Sequence, residues 1–136
     1  MADIKVLLVD DEAGFRKTLG KRLDRRGMIV QEADSGVQAL EAMKIFEPDV
    51  VLLDVKMPGM DGLTTLHKIK LINPLVEVVM LTGHANMDIA IHGMELGAFD
   101  YLMKPVEFEE LLYKLEDAST RKRHREEKIT AKEHSQ

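Results

Sequence analysis

Residues 4–12, Ile4-Lys5-Val6-Leu7-Leu8-Val9-Asp10-Asp11-Glu12, pass from a nearly unbroken apolar run straight into three acids. A short Val/Ile/Leu-rich run without polar alternation suits a strand covered on both faces, and such strands belong to parallel sheets. Val50–Leu53 and Val78–Leu81 repeat the pattern, and Met28–Ala33 and Tyr101–Lys104 repeat it more weakly. Between these runs the apolar residues fall at helical spacing. Phe15, Leu19 and Leu23 lead to Gly27, a C-terminal cap. Val37, Leu40 and Met43 follow Ser35 as N-cap and stop at Pro48. Leu63, Leu66 and Ile69 follow Asp61 and stop at Pro74. Ile91 and Met94 run towards Gly97, with Asn86 or Asp88 as cap, and Phe108, Leu111, Leu112, Leu115 and Ala118 form a last stripe. Parallel strands need helical crossovers, so the expected class is an open, doubly wound α/β sheet of five parallel strands and five helices.

The 136 residues suit one domain and are enough to bury a core without staples. With Cys 0, disulfide scaffolds, thiolate metal sites and cysteine catalysis are excluded. No apolar run approaches the roughly 18 residues of a membrane span, and no signal peptide precedes the first strand, so a cytoplasmic location is the default expectation. The formal charge of −5 argues against nucleic-acid binding by the chain as a whole. The charge is uneven, however: residues 121–136 carry six Lys/Arg against three Asp/Glu. The apolar stripe of the last helix fades after Ala118, so the basic tail is expected to find little to pack against.

Ligands of doubly wound sheets bind at the carboxyl ends of the strands. There the first strand presents Asp10, Asp11 and Glu12, the third Asp54, the fourth Thr82 and Gly83, and the fifth Lys104 and Pro105. A lone Asp after a strand is commonly a turn or helix cap. Acids converging from two strands repel one another unless compensated, and a hard divalent cation such as Mg²⁺ is the simplest compensation. Lys104, Thr82 and the backbone at Gly83 are donors suited to phosphoryl oxygens. Together these groups point to phosphoryl transfer onto a carboxylate.

Val9-Asp10-Asp11-Glu12, Leu53 to Gly62 (LDVKMPGMDG), Leu81-Thr82-Gly83-His84, Gly97-Ala98 and Asp100-Tyr101-Leu102-Met103-Lys104-Pro105 stand in this order, most of them at strand ends. With these pieces the chain resembles a response-regulator receiver domain, the CheY-like phospho-acceptor module of two-component signalling. The resemblance covers residues 1–119 and leaves 120–136 as a charged C-terminal helix extension, linker or tail. It implies a flavodoxin-like strand order 2-1-3-4-5. It also implies that Asp54 is phosphorylated, and that Asp10, Asp11, Asp54 and the backbone carbonyl of Lys56 hold Mg²⁺, with Asp11 the closer ligand and Asp10 acting through water. Thr82 and Lys104 would contact the phosphoryl group, Tyr101 would be the switch aromatic, and Lys104–Pro105 would be a cis peptide. Lys56 and His84 stand where the family tunes dephosphorylation, and they are expected to shield the acyl phosphate from water, the alternative being that both point to solvent. Pro58-Gly59-Met60-Asp61-Gly62 would shape the loop beside Asp54.

The implied input is a phosphohistidine on a sensor histidine kinase or a histidine phosphotransfer protein, docking near the first helix. The implied output surface is the fourth helix, fifth strand and fifth helix, acting on a downstream protein or an output domain, with homodimer formation left open. Self-phosphorylation and slow autodephosphorylation are the only expected turnover, so the chain is not read as an enzyme. Other readings are open. An aspartyl-phosphate hydrolase would need an acid two residues after Asp54, where Lys56 stands. A flavin or dinucleotide carrier would need a Gly-rich or hydroxyl-rich loop in place of Asp10-Asp11-Glu12. A degenerate receiver would have lost part of the set Asp10, Asp11, Asp54, Thr82 and Lys104. The chain also fits the receiver piece of a larger transcription factor, with Arg121–Arg125 starting a linker helix.

Overall fold

The computed structural model describes residues 3–57 and 61–134. Among them, strands β1 (Lys5–Val9), β2 (Ile29–Ala33), β3 (Val50–Asp54), β4 (Glu77–Thr82) and β5 (Asp100–Met103) alternate with helices α1 (Ala13–Arg25), α2 (Gly36–Phe46), α3 (Gly62–Ile72), α4 (Met87–Glu95) and α5 (Phe108–His134). A 3₁₀ turn, His84–Asn86, precedes α4. All strand pairs are parallel, in the order β2-β1-β3-β4-β5. The fold is therefore the five-stranded, doubly wound, flavodoxin-like α/β sheet expected.

Strand geometry sends alternate side chains to opposite faces. Leu7 and Val9, Val51 and Leu53, and Val78 and Met80 join Met43, Leu66, Ile69 and Ala90 in one layer, beneath α2, α3 and α4. Val6 and Leu8, Val50 and Leu52, and Val79 and Leu81 join Leu19, Leu23, Leu111, Leu112, Leu115 and Ala118 in the other, beneath α1 and α5. This double covering explains why the central strands read as continuous apolar runs. Ser35 and Asp61 cap α2 and α3 as expected, accepting from the N–H groups of Gln38 and Thr64. Asn86 holds the N-cap position of α4, but its side chain makes no capping hydrogen bond. Helix α4 buries only Ala90 and Gly93, and a Cβ at Gly93 would collide with the thioether of Met80.

The segment after Ala118 is helical, one of the forms expected of it, but it finds more partners than expected. It continues α5 without a break and is held by charge rather than by apolar packing. Lys122, buried, donates to Asp49 Oδ1 at 3.1 Å, while Asp49 Oδ2 accepts from the backbone N–H of Lys5 at 2.8 Å. Glu77, buried at the start of β4, pairs with Lys70 of α3 at 3.3 Å and with Arg121 and Arg125 of α5 at 3.1 and 3.5 Å. Burial holds Lys70 below its ordinary pKa despite the opposing pull of Glu77. A buried carboxylate is tolerated only with such partners. Glu77→Ala is expected to lower stability by about 2–3 kcal/mol, less than the ~3–5 kcal/mol of a fully enclosed broken pair because Arg121 and Arg125 reach solvent. Urea denaturation measures the loss, and hydrogen exchange should quicken beyond Ala118 while the first turns of α5 keep their protection.

Candidate functional site

The parallel register delivers one side chain from each central strand to the same rim. Val9 lies opposite Leu53, Asp54 opposite Leu81, and Thr82 opposite Met103. Asp10, Asp54, Thr82 and Lys104 therefore emerge together, at or one residue past the strand ends. The rim lies where the strand order reverses between β1 and β3, the usual ligand position in such sheets.

Carboxylate oxygens of Asp10, Asp11 and Asp54 lie within 4.8 Å of one another. Asp10 is fully buried, Asp54 is buried and Asp11 is exposed. Asp10 Oδ1 accepts the backbone N–H of Glu12 at 2.9 Å, and Oδ2 accepts from Lys104 Nζ at 3.1 Å. The same Nζ stands 3.6 Å from Asp54 Oδ2, and Asp54 Oδ1 accepts the backbone N–H of Lys56 at 3.0 Å. Lys104 Nζ also lies 4.4 Å from the centroid of the Phe15 ring, which backs it from α1. The Lys104–Pro105 bond is cis.

Burial pushes the Asp54 carboxyl above its ordinary pKa. The Lys56 N–H and Lys104 oppose that shift, and the charges of Asp10 and Asp11 add to it. Burial would lower the Lys104 pKa, but the Asp10 hydrogen bond and the charges of Asp54, Asp10 and Glu12 outweigh it and raise it. One ammonium thus faces three carboxylates. All the side-chain donors are hard oxygens beside open solvent at Asp11, which suits Mg²⁺.

Thr82 reaches the rim buried, its hydroxyl 3.1 Å from the Gly83 carbonyl oxygen. Tyr101 is half-buried against the layer beneath α2–α4, on β5 opposite Met80 of β4. Lys56 and His84 are exposed on the loops after β3 and β4. Pro58, Gly59 and Met60 of the expected turn lie outside the described residues. The turn's end is informative, since a Cβ on Gly62 would come 2.6 Å from the Val55 backbone, so α3 starts tight against the segment following Asp54. Arg16 escaped the sequence reading, and Phe15 was read only as part of the apolar stripe of the first helix, not as a neighbour of Lys104. The signal for Arg16 was only an Arg beside an apolar residue in the first turn after the acids.

The chain matches the family profile "Response regulator receiver domain" over residues 6–116. It belongs to the response-regulator receiver-domain family. Over 113 residues it is 39% identical to the DNA-binding transcriptional regulator NtrC of Escherichia coli, covering 83% of this chain and 24% of that protein. It is 36% identical to sporulation initiation phosphotransferase F of Bacillus subtilis, covering 82% of this chain and 90% of that protein. The chain therefore spans about a quarter of the length of the NtrC regulators it matches. A receiver domain protein from Clostridium thermocellum superposes with a TM-score of 0.84 at 37% identity, covering 88% of this chain and 97% of that one. NtrX from Brucella abortus superposes with a TM-score of 0.88 at 30% identity, covering 96% of this chain and 30% of that one. Receiver domains are signalling phospho-acceptors rather than ordinary enzymes and bind Mg²⁺ at an acidic pocket, and this receiver domain carries the acid cluster for one. Among the described residues, no helix is long and apolar enough to cross a membrane.

With its pKa raised, ionised Asp54 is disfavoured by the fold, so its burden on stability grows as pH rises through the folded pKa and disappears well below the ordinary carboxylate range. Asp54→Asn should therefore raise the metal-free melting temperature at pH 7 by about 3–5 °C, the shift given by roughly 1 kcal/mol in a domain of this size. The gain should shrink in melts at acidic pH. Adding Mg²⁺ should stabilise the parent more than the variant.

Proposed function

We propose that this receiver domain accepts a phosphoryl group onto Asp54 from a phosphohistidine on a sensor histidine kinase or histidine phosphotransfer protein, and passes the signal through α4, β5 and α5. The observation that carries this reading is the placing of Asp54: a buried carboxylate between the Lys104 ammonium and the Lys56 N–H, beside Asp10 and Asp11. A carboxylate oxygen of Asp54 forms the O–P bond as the donor P–N bond breaks, and the imidazole nitrogen leaves with the electron pair. Asp10, Asp11, Asp54 and the Lys56 carbonyl would hold Mg²⁺, which when bound offsets charge on the transferred group. Lys104, already between Asp10 and Asp54, is placed to draw a phosphoryl oxygen. Thr82 turns its hydroxyl from the Gly83 carbonyl to the phosphoryl group, and Tyr101 follows as the switch aromatic. Hydrogen bonds to a charged group contribute about 1.5–3 kcal/mol each, so one or two made only in the phosphorylated state shift the population of conformations substantially. Self-phosphorylation from small acyl phosphates and slow autodephosphorylation belong to the same site, and the expected setting is cytoplasmic.

A second reading concerns the whole protein. The likeness to NtrX extends over more of the chain than the isolated NtrX receiver does, 96% against 85%, and so takes in part of the α5 extension. This supports residues 120–136 as a linker helix to an output domain, with residues 1–119 as the receiver.

Acetyl phosphate with Mg²⁺ should add one group of about 80 Da to the parent, and none to Asp54→Asn. An unmodified parent under metal saturation would sink the reading, and repeated turnover of phosphate esters would replace it with a hydrolase. Lys56→Ala and His84→Ala are each expected to speed loss of the phosphoryl group several-fold, followed by mass spectrometry after donor removal. Unchanged rates would assign both side chains to solvent alone.

A further inference from the structure

We propose that Arg16 is a positioning residue for the acidic pocket, holding the peptide that joins Asp10 to Asp11 so that both carboxylates face one cation. The proposal rests on the reading of the pocket given above. Arg16 lies in the first turn of α1, and its side chain is only 13% exposed. Its guanidinium donates from Nη1 to the backbone oxygen of Asp10 at 2.7 Å and from Nε to Glu32 Oε1 on β2 at 2.9 Å.

The Asp10 oxygen lies beyond the last ladder pairs of β1, where the sheet no longer dictates backbone direction. It belongs to the peptide plane that continues into Asp11, and a peptide plane moves as a unit. The remaining groups of Asp10 are already engaged: its N–H donates to the Ala33 oxygen at 3.1 Å, and its two carboxylate oxygens accept from Glu12 and Lys104. Fixing the carbonyl completes the set and sets the backbone from which the exposed Asp11 side chain departs. Glu32 offsets the charge of Arg16, so the guanidinium adds little net field at the pocket and its contribution there is geometric. Only a planar fork can serve a strand-end carbonyl and a neighbouring strand's carboxylate at once, whereas lysine offers a single point charge.

The test is calorimetric titration of the full chain with Mg²⁺ alone, well below each variant's melting temperature, beside metal-free thermal melts. Arg16→Lys and Arg16→Gln are expected to weaken Mg²⁺ binding alike, by about tenfold, the lower end of what outer-shell partners of metal ligands contribute. Glu32→Gln, which leaves the guanidinium charge but loosens its second anchor, should weaken binding by about threefold. A folded Arg16→Lys that binds like the parent overturns the proposal, because charge alone would then suffice. If both Arg16 variants fail to fold, Glu32→Gln decides, and parent-like affinity there overturns the proposal. Asp11→Asn separates the two levels of the argument: parent-like affinity removes the pocket reading and this proposal together, while weakened affinity with unaffected Arg16 and Glu32 variants removes this proposal alone.

Discussion

A carboxylate buried to zero exposure at the end of a central strand is costly in a folded protein, and Asp10 is one. The structure answers it with Lys104, brought from the end of the edge strand β5 across the rim. That requirement fixes much else. Lys104 must leave β5 at the rim, the following peptide turns through the cis bond to Pro105, and α5 starts beside Phe15 and Arg22 of α1, where Arg22 stacks on Phe108 at 3.9 Å. Asp54 then shares the same ammonium at a longer distance, and burial holds its carboxyl above the ordinary pKa. The two acids therefore differ in how closely the one ammonium meets them, at 3.1 Å for Asp10 and 3.6 Å for Asp54.

The sheet was legible because the two-sided covering of β1, β3 and β4 leaves an unbroken apolar signature, each run stopping at a polar rim residue. Asp10, Asp11, Asp54, Thr82 and Lys104 were legible for the same reason: strand ends converge in a parallel sheet whatever the intervening helices. Arg16 was not, since its two acceptors become neighbours only when β1 and β2 pair. The seat of the α5 extension was hidden too. Glu77 reads as the charged residue just outside an apolar run, and Asp49 as a turn acid after Pro48. Their partners Arg121, Lys122 and Arg125 lie at least 44 residues further on. Apolar periodicity reports burial by the hydrophobic effect and is silent about burial by ion pairing.

The sheet consequently has two charged ends of opposite design. At the carboxyl end, acids outnumber cations and the excess remains open to a ligand. At the amino end, Glu77 is surrounded by Lys70, Arg121 and Arg125, and Asp49 is matched by Lys122. Helix α5 passes both, its first turns near Lys104 and its second half at the amino end.

Helix α4 differs from α5 in how much it has at stake. Fully burying a leucine contributes about 1.5–3 kcal/mol, and α5 buries Leu111, Leu112 and Leu115. Helix α4 fully buries only an alanine and a glycine, over a methionine with three rotatable bonds, packs Ile89 partly buried beside them and leaves Ile91 and Met94 outside. Sliding α4 strips few atoms of their neighbours, and Met80 can refill the gap by changing rotamer. A helix with so little apolar surface at stake is held to the sheet by a smaller free energy than α5.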